Sequence, residues 1–188
     1  MTEAEIEQVL STMEVVVDNR EQPNRRAENR YKTFGVPFSR CTLNYGDYTY
    51  NAELPNGNKI YSLEETIKPC VAVERKMNLE ELSGCFTERA DSESKDLGVR
   101  NRFEKELYRA KENGSKIYLL VEDSTWEKLI LGNYNTKFNA NSFLASLTAY
   151  IARYDLSIIF CKHETSGKLI KEILYRELKE RLKNGVYG

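Results

Sequence analysis

The sequence predicts an α/β domain in which a central mixed β-sheet carries helices on both faces. Runs such as Val15-Val16-Val17 and the segment 116–122, KIYLLVE, are rich in β-branched and large apolar residues and read as buried strands. Elsewhere apolar residues recur at helical spacing, as in Leu169, Ile170, Ile173, Leu174, Leu178 and Leu182. The early strands follow one another through turn signals and the later ones alternate with helices, which makes the sheet mixed. With 188 residues, 40% hydrophobic and 30% charged, the chain suffices for one well-buried core and is short for two. A single domain over 1–188 is expected.

Ile6, Val9, Leu10 and Met13 sit at helical spacing behind a Thr2 and Glu5 pair with the form of a capping box, so a short helix opens the chain. MEVVVDNRE then reads as a buried strand delivering Asp18 and Glu21 to its C-terminal end. Residues 23–34 turn helical, with Gly35 as the C-cap. VPFSRCTL is the second strand, Asn44-Tyr45-Gly46 a turn and DYTYNAEL the third strand. PNGN at 55–58 is a hairpin signal, with KIYSL as the return strand.

VAVERK leads into a helix capped by Asn78, with Leu79, Leu82 and Phe86 on one face and Glu80 and Glu81 in its first turn. Residues 87–101 show almost no apolar residue and read as a mobile loop or a solvated helical stretch. Helical pattern resumes at Phe103, Leu107 and Ala110, followed by the 116–122 strand and a short helix around Trp126. A helix over 141–154, the strand LSIIFC and a long closing helix complete a C-terminal helix-strand-helix over 139–184.

No run of 18 apolar residues exists, and the acidic start lacks the basic region of a signal peptide, so a cytoplasmic protein without membrane contact is expected. Cys41, Cys70, Cys85 and Cys161 are far apart with no CxxC spacing, which suits reduced thiols. With 28 Lys plus Arg against 29 Asp plus Glu, no global basic field argues for nucleic acid. Local arrangement must carry that argument. Residues 20–40 hold Arg20, Arg25, Arg26, Arg30, Lys32 and Arg40, which fits a phosphate-binding face or, equally, a solvated helix face. The lone His163 cannot build a histidine-metal nuclease, and no nucleophile elbow, P-loop or dinucleotide fingerprint is present. Tyr45, Tyr48 and Tyr50 flank Asp47, and for the last two core packing is preferred over stacking on bases.

The most informative stretch is 70–82, CVAVERKMNLEEL. Residues two apart on a strand point the same way, so Glu74 and Lys76 share a face. A carboxylate that can hold Mg²⁺ beside an ammonium that can steady an attacking water suits phosphodiester hydrolysis. Taken alone, such a pair is more often a surface ion pair, and a Gly-Asp step such as Gly46-Asp47 is more often a plain turn.

Taken together, VDNRE at 17–21, GDY at 46–48 and VERK at 73–76 resemble, in order and spacing, the XPF-type structure-specific nucleases, the excision-repair cross-complementing nuclease domain. The resemblance runs over nearly the whole chain, with the motifs inside 13–121. It implies a PD-(D/E)xK, restriction-endonuclease-like fold and a Mg²⁺ site, with Mn²⁺ able to substitute. By that resemblance Asp47, Glu74 and Asp18 are the metal ligands, Lys76, Glu21 and Arg75 complete the catalytic set, and Arg20, Arg25 and Arg26 bind DNA. Arg75, on the opposite strand face, is expected to pair with Glu21 and brace the site.

The implied activity is a Mg²⁺-dependent endonuclease on branched, flap or fork DNA in repair, recombination or phage replication. Alternatives are a catalytically silent DNA-binding module of the same fold and a junction resolvase or restriction-like enzyme. Glu80 stands where the family carries Asp, as a supporting carboxylate. A single domain without a helix-hairpin-helix module is expected, with a homodimer or a protein partner expected to supply substrate choice. The compact form resembles phage and prophage versions.

Overall fold

A computed structural model describes residues 1–87, 92 and 97–188. The described elements are α1 (Glu3–Ser11), β1 (Glu14–Asp18), α2 (Arg25–Lys32), β2 (Phe38–Cys41), β3 (Tyr48–Asn51), β4 (Val71–Lys76) and α3 (Leu79–Thr87). They continue with α4 (Arg102–Glu112), β5 (Lys116–Glu122), α5 (Trp126–Ile130), α6 (Ala140–Tyr154), β6 (Ser157–Cys161) and α7 (Ser166–Asn184). Six strands form one mixed sheet in the order β2-β1-β3-β4-β5-β6. β1 runs parallel to β2 and antiparallel to β3, β3 is antiparallel to β4, and β5 is parallel to β6. Each parallel pair is joined through helix, as a parallel crossover requires. Most of the 87–101 segment lies outside the described residues.

The chain packs as two compact units, Met1–Val73 with Glu164–Gly188, and Glu74–His163. In the first, α7 packs on α1, α2 and β3, and Ile170, Leu174, Leu178 and Leu182 are buried one helical face at a time. The capping box at Thr2 and Glu5 is formed. Gly167 sets the closeness of α7 to α2: a Cβ there would lie 2.2 Å from the Arg30 carbonyl oxygen. Tyr48 and Tyr50 are fully buried, as their alternation suggests.

Two sequence expectations give way here. Thr33, not Gly35, caps α2, and Gly35 follows at φ +70° in the turn beyond. The 55–58 turn forms, with Leu54 N donating to Asn58 O at 2.8 Å, yet residues 59–63 make no strand, only a bridge between Glu53 and Lys59. The side chain of Asn51 is the reason. Its Oδ1 accepts from Tyr61 N at 3.0 Å and its Nδ2 donates to Tyr61 O at 3.1 Å, so an amide takes the place of a backbone ladder.

In the second unit α4 packs on β5, α3 and α6. Its aromatic centre joins Phe86, Phe103, Phe138, Phe143 and Tyr150, with Phe143 fully buried against Phe86, Tyr134 and Phe138. Burial of each such ring contributes roughly 1.5–3 kcal/mol. Asp123 and His163 follow β5 and β6, and the imidazole Nδ1 lies 3.0 Å from Asp123 Oδ2. No helix among the described residues is long and apolar enough to cross a membrane, and all four cysteines are free thiols.

Glu104 on α4 is 1% exposed. Burial works to raise its pKa, but the Arg100 N–H, the Tyr154 hydroxyl and the Arg100 and Arg153 guanidiniums outweigh it and hold the carboxyl below its ordinary value of 4.5. A depressed carboxyl stabilises the fold above its unfolded pKa, and that stability is lost as pH falls through the folded value. Thermal melts between about pH 6 and pH 3 should show the parent losing stability below the ordinary carboxylate range. A Glu104→Gln variant, less stable at neutral pH, should lack that component.

Candidate active site

The first unit places Asp18 at the end of β1 and Asp47 immediately before β3, where Asp18 N donates to Asp47 O at 2.8 Å and Asp47 N to Val73 O at 2.9 Å. Asp18 ends β1, 1% exposed. Its Oδ1 accepts from Arg20 N at 2.7 Å and Arg20 Nε at 2.8 Å, and its Oδ2 from Arg20 Nη2 at 3.1 Å and Leu43 N at 2.7 Å. Four N–H donors on one carboxylate make a latch that ties the end of β1 to residues 20 and 43. Arg20, expected on DNA, spends its guanidinium on Asp18 and on the Leu43 carbonyl at 2.9 Å. Arg25 is exposed and Arg26 half-buried at the start of α2.

Glu21 belongs to a second group. Its Oε1 accepts from Arg30 Nη1 at 3.1 Å and from the Tyr48 hydroxyl at 2.9 Å, and Arg30 Nη1 also donates to the Tyr48 oxygen at 2.9 Å. Arg30 Nε reaches Ser166 Oγ at 3.3 Å. Burial first, and then the Glu21 charge, pushes the neighbouring Tyr31 phenol above its ordinary value. Arg40 Nη2 gathers the carbonyls of Asp18, Asn19 and Glu21 at 3.3, 3.3 and 2.6 Å, fixing the turn after β1.

Gly46 delivers Asp47. It sits at φ +75°, where a Cβ would lie 2.6 Å from Ala72 Cβ, so a side chain is opposed by both backbone and neighbour. Gly46→Ala should lower stability by about 2–4 kcal/mol, combining left-handed strain with overpacking. Urea unfolding measures it, and a change under about 0.5 kcal/mol would contradict the close approach.

In the second unit Glu74 and Lys76 do share one face of β4. Glu74 Oε1 lies 2.6 Å from Lys76 Nζ, with side-chain exposures of 8% and 13%. The ammonium also stands 5.5 Å from the Phe103 ring centroid, which fixes it without consuming its charge. Arg75, on the alternate face, has its ion partner in Glu122 at 3.6 Å on the neighbouring strand β5. The expected Glu21 brace is thus supplied by Arg30, and Arg75 braces β4 to β5. Glu80 is also committed: its Oε1 accepts from Asn135 N at 2.8 Å.

Glu122 was not among the sequence candidates, and Arg30 and Arg40 entered only as members of the basic 20–40 segment, not as groups that organise the site. Arg30 had a signal, since it falls with Ala27 and Phe34 on the apolar face of α2, where a buried cation demands a partner. Glu122 at the end of the apolar 116–122 run offered the same signal. Arg40, on an edge strand, offered none.

The ERCC4 domain family model matches residues 17–173. Among solved structures, XPF from Aeropyrum pernix is similar at 19% identity with a TM-score of 0.53, over 87% of this chain and 60% of that one. XPF from Aeropyrum pernix in complex with DNA is similar at 18% identity with a TM-score of 0.54, over 89% of this chain and 65% of that one. The chain therefore spans a little under two thirds of these structures, and at such identity they show a shared fold. No curated protein matches the chain significantly in sequence. The family match holds all three motifs, 17–21, 46–48 and 73–76, on the mixed sheet, and the chain belongs to the ERCC4 domain family.

Proposed function

We propose that this chain, working as one nuclease module, is a divalent-metal-dependent DNA endonuclease of the structure-specific kind, acting on branched, flap or fork DNA in repair, recombination or phage replication. The observation that carries the reading is the Glu74–Lys76 pair, a carboxylate and an ammonium 2.6 Å apart and nearly buried on one strand. Two charges held that far from water give little net stability for their desolvation, which favours a chemical use. Family membership supports the nuclease class, and the DNA complex of XPF from Aeropyrum pernix supports DNA as ligand.

Asp47 and Glu74 are hard oxygen donors of the type that suits Mg²⁺. Support for their shared role comes from the motif pattern, in which Asp47 stands in GDY at 46–48 and Glu74 in VERK at 73–76, both within the family match. Asp18 fits as a positioning group instead, because its two oxygens already take four N–H donors. A bound divalent ion would neutralise charge on the scissile phosphate and acidify water. Lys76 orients the attacking water and stabilises the charge that grows on the phosphoryl oxygens, while Glu74 keeps that ammonium charged and aimed. Arg25 and Arg26 meet phosphates from the start of α2.

The test is a panel of flap, fork, four-way and linear DNAs incubated with and without Mg²⁺ or Mn²⁺. Metal-dependent cutting that prefers branched substrates is expected. Salt-dependent binding with no cleavage at any concentration of either metal would leave a silent binding module in its place.

A further inference from the structure

Phe38 is the one exposed aromatic residue among the described residues, 45% accessible, and it opens β2, an edge strand of the sheet. Its ring is held in place. Tyr31 of α2 packs on it with centroids 4.9 Å apart, and the buried Phe34 meets it edge-on at 6.3 Å. Nearly half of the residue is still left to solvent. A large apolar ring kept in water on an edge strand forgoes hydrophobic burial and invites unwanted pairing, and a strand that needed only to end the sheet is better served by a charged or small residue.

Phe38 and Arg40, two residues apart, share a face of β2 and lie about 6–7 Å apart along it. Arg40 is exposed, and the contacts of its Nη2 are all to carbonyls, those of Asp18, Asn19 and Glu21. Carbonyls aim a guanidinium without neutralising it, and Arg40 has no ion-pair partner among the described residues. The same contacts tie it to the end of β1, where Cys41 stands in register with Asp18. The edge thus leads from Phe38 through Arg40 to the strand end that carries Asp18. Along α2 the exposed charges are Arg25 and Lys32 against Glu28, so the local balance is positive in a chain whose net charge is -1.

We infer that Phe38 is a stacking platform for an unpaired base of a DNA strand, with Arg40 taking the phosphate beside it. An aromatic face accepts any base, and a duplex keeps its base faces stacked inside, so the platform selects single-stranded DNA and reads no sequence. The cation beside it fixes the register of the backbone. The inference deepens the nuclease reading and rests on it for the source of the strand, the single-stranded arm of a flap or fork.

Fluorescence anisotropy without metal, on a fork with a single-stranded arm and on a blunt duplex, tests the platform apart from cutting. Phe38→Leu keeps an apolar side chain on Tyr31 and removes the aromatic face. It should weaken fork binding about tenfold, with duplex binding and melting temperature unchanged. Phe38→Trp should bind the fork at least as tightly as the parent. Arg40→Gln should reduce the slope of log affinity against log salt by about 0.7, and Arg40→Lys should preserve it. Iododeoxyuridine placed in the arm should photo-cross-link to Phe38, as read by mass spectrometry.

Phe38→Leu binding the fork as tightly as the parent would overturn the platform, and so would an equal loss on fork and blunt duplex, which would make Phe38 a packing residue. A shift from dimer to monomer in Phe38→Leu with unchanged DNA affinity would give the ring to a second copy and overturn it as well. A parent that cuts nothing refutes the nuclease reading, while the metal-free binding series still decides the platform.

Discussion

Asp47→Asn and Lys76→Ala should each lower metal-dependent cleavage of fork DNA by about a hundredfold or more. Asparagine keeps the shape of Asp47 and its place after the Gly46 turn but removes the charge a divalent ion needs. That variant should therefore require far more Mg²⁺, with DNA affinity in the absence of metal intact. Lys76→Ala removes the ammonium 2.6 Å from Glu74 Oε1, so transition-state charge loses its partner while metal demand changes little. Metal titrations of both variants, beside circular dichroism to show intact folding, separate the two roles. Either variant cutting at the parent rate would end the assignment.

Arg30→Met should lower folding stability by about 3–5 kcal/mol, the range found when one partner of a buried ion pair is removed. The guanidinium side chain is 2% exposed and its partner Glu21 10%. Methionine would fill much of the volume yet remove the charged donor from the Glu21 carboxylate, which keeps the Tyr48 hydroxyl, and from the Ser166 hydroxyl. At roughly 2–4 °C per kcal/mol for a chain of this size, the melting temperature should fall by about 10 °C. Glu21→Gln in the Arg30→Met background should restore part of it, since the stranded charge is gone. A drop under about 1 kcal/mol would show that Glu21 is satisfied without Arg30.

The elements that sequence periodicity carries well are those set by local burial: β1, β4, β5, α6 and α7 are all legible from runs and helical spacing. Residues 59–63 were misread because their pattern fits a strand, while the partner that settles them is the Asn51 side chain ten positions away. For the site, the identity of Glu74 and Lys76 as a pair was legible, because strand alternation fixes it. The duties of Asp18 and Glu80 were not. An acid at a strand end looks the same in sequence whether it awaits a cation or already accepts N–H donors, and only the positions of Arg20, Leu43 and Asn135 distinguish the two.

The Asn51 amide also decides where the chain tolerates added length. Residues 55–58 close on themselves through Leu54 and Asn58, all four residues are exposed, and the residues that follow are tied to the sheet by one bridge, the Asn51 carboxamide and the Lys59–Glu14 ion pair. An epitope, a fluorophore carrier or a whole reporter domain spliced between Asn56 and Gly57 would therefore enter the molecule at an exposed port that leaves those ties to β1 and β3 in place.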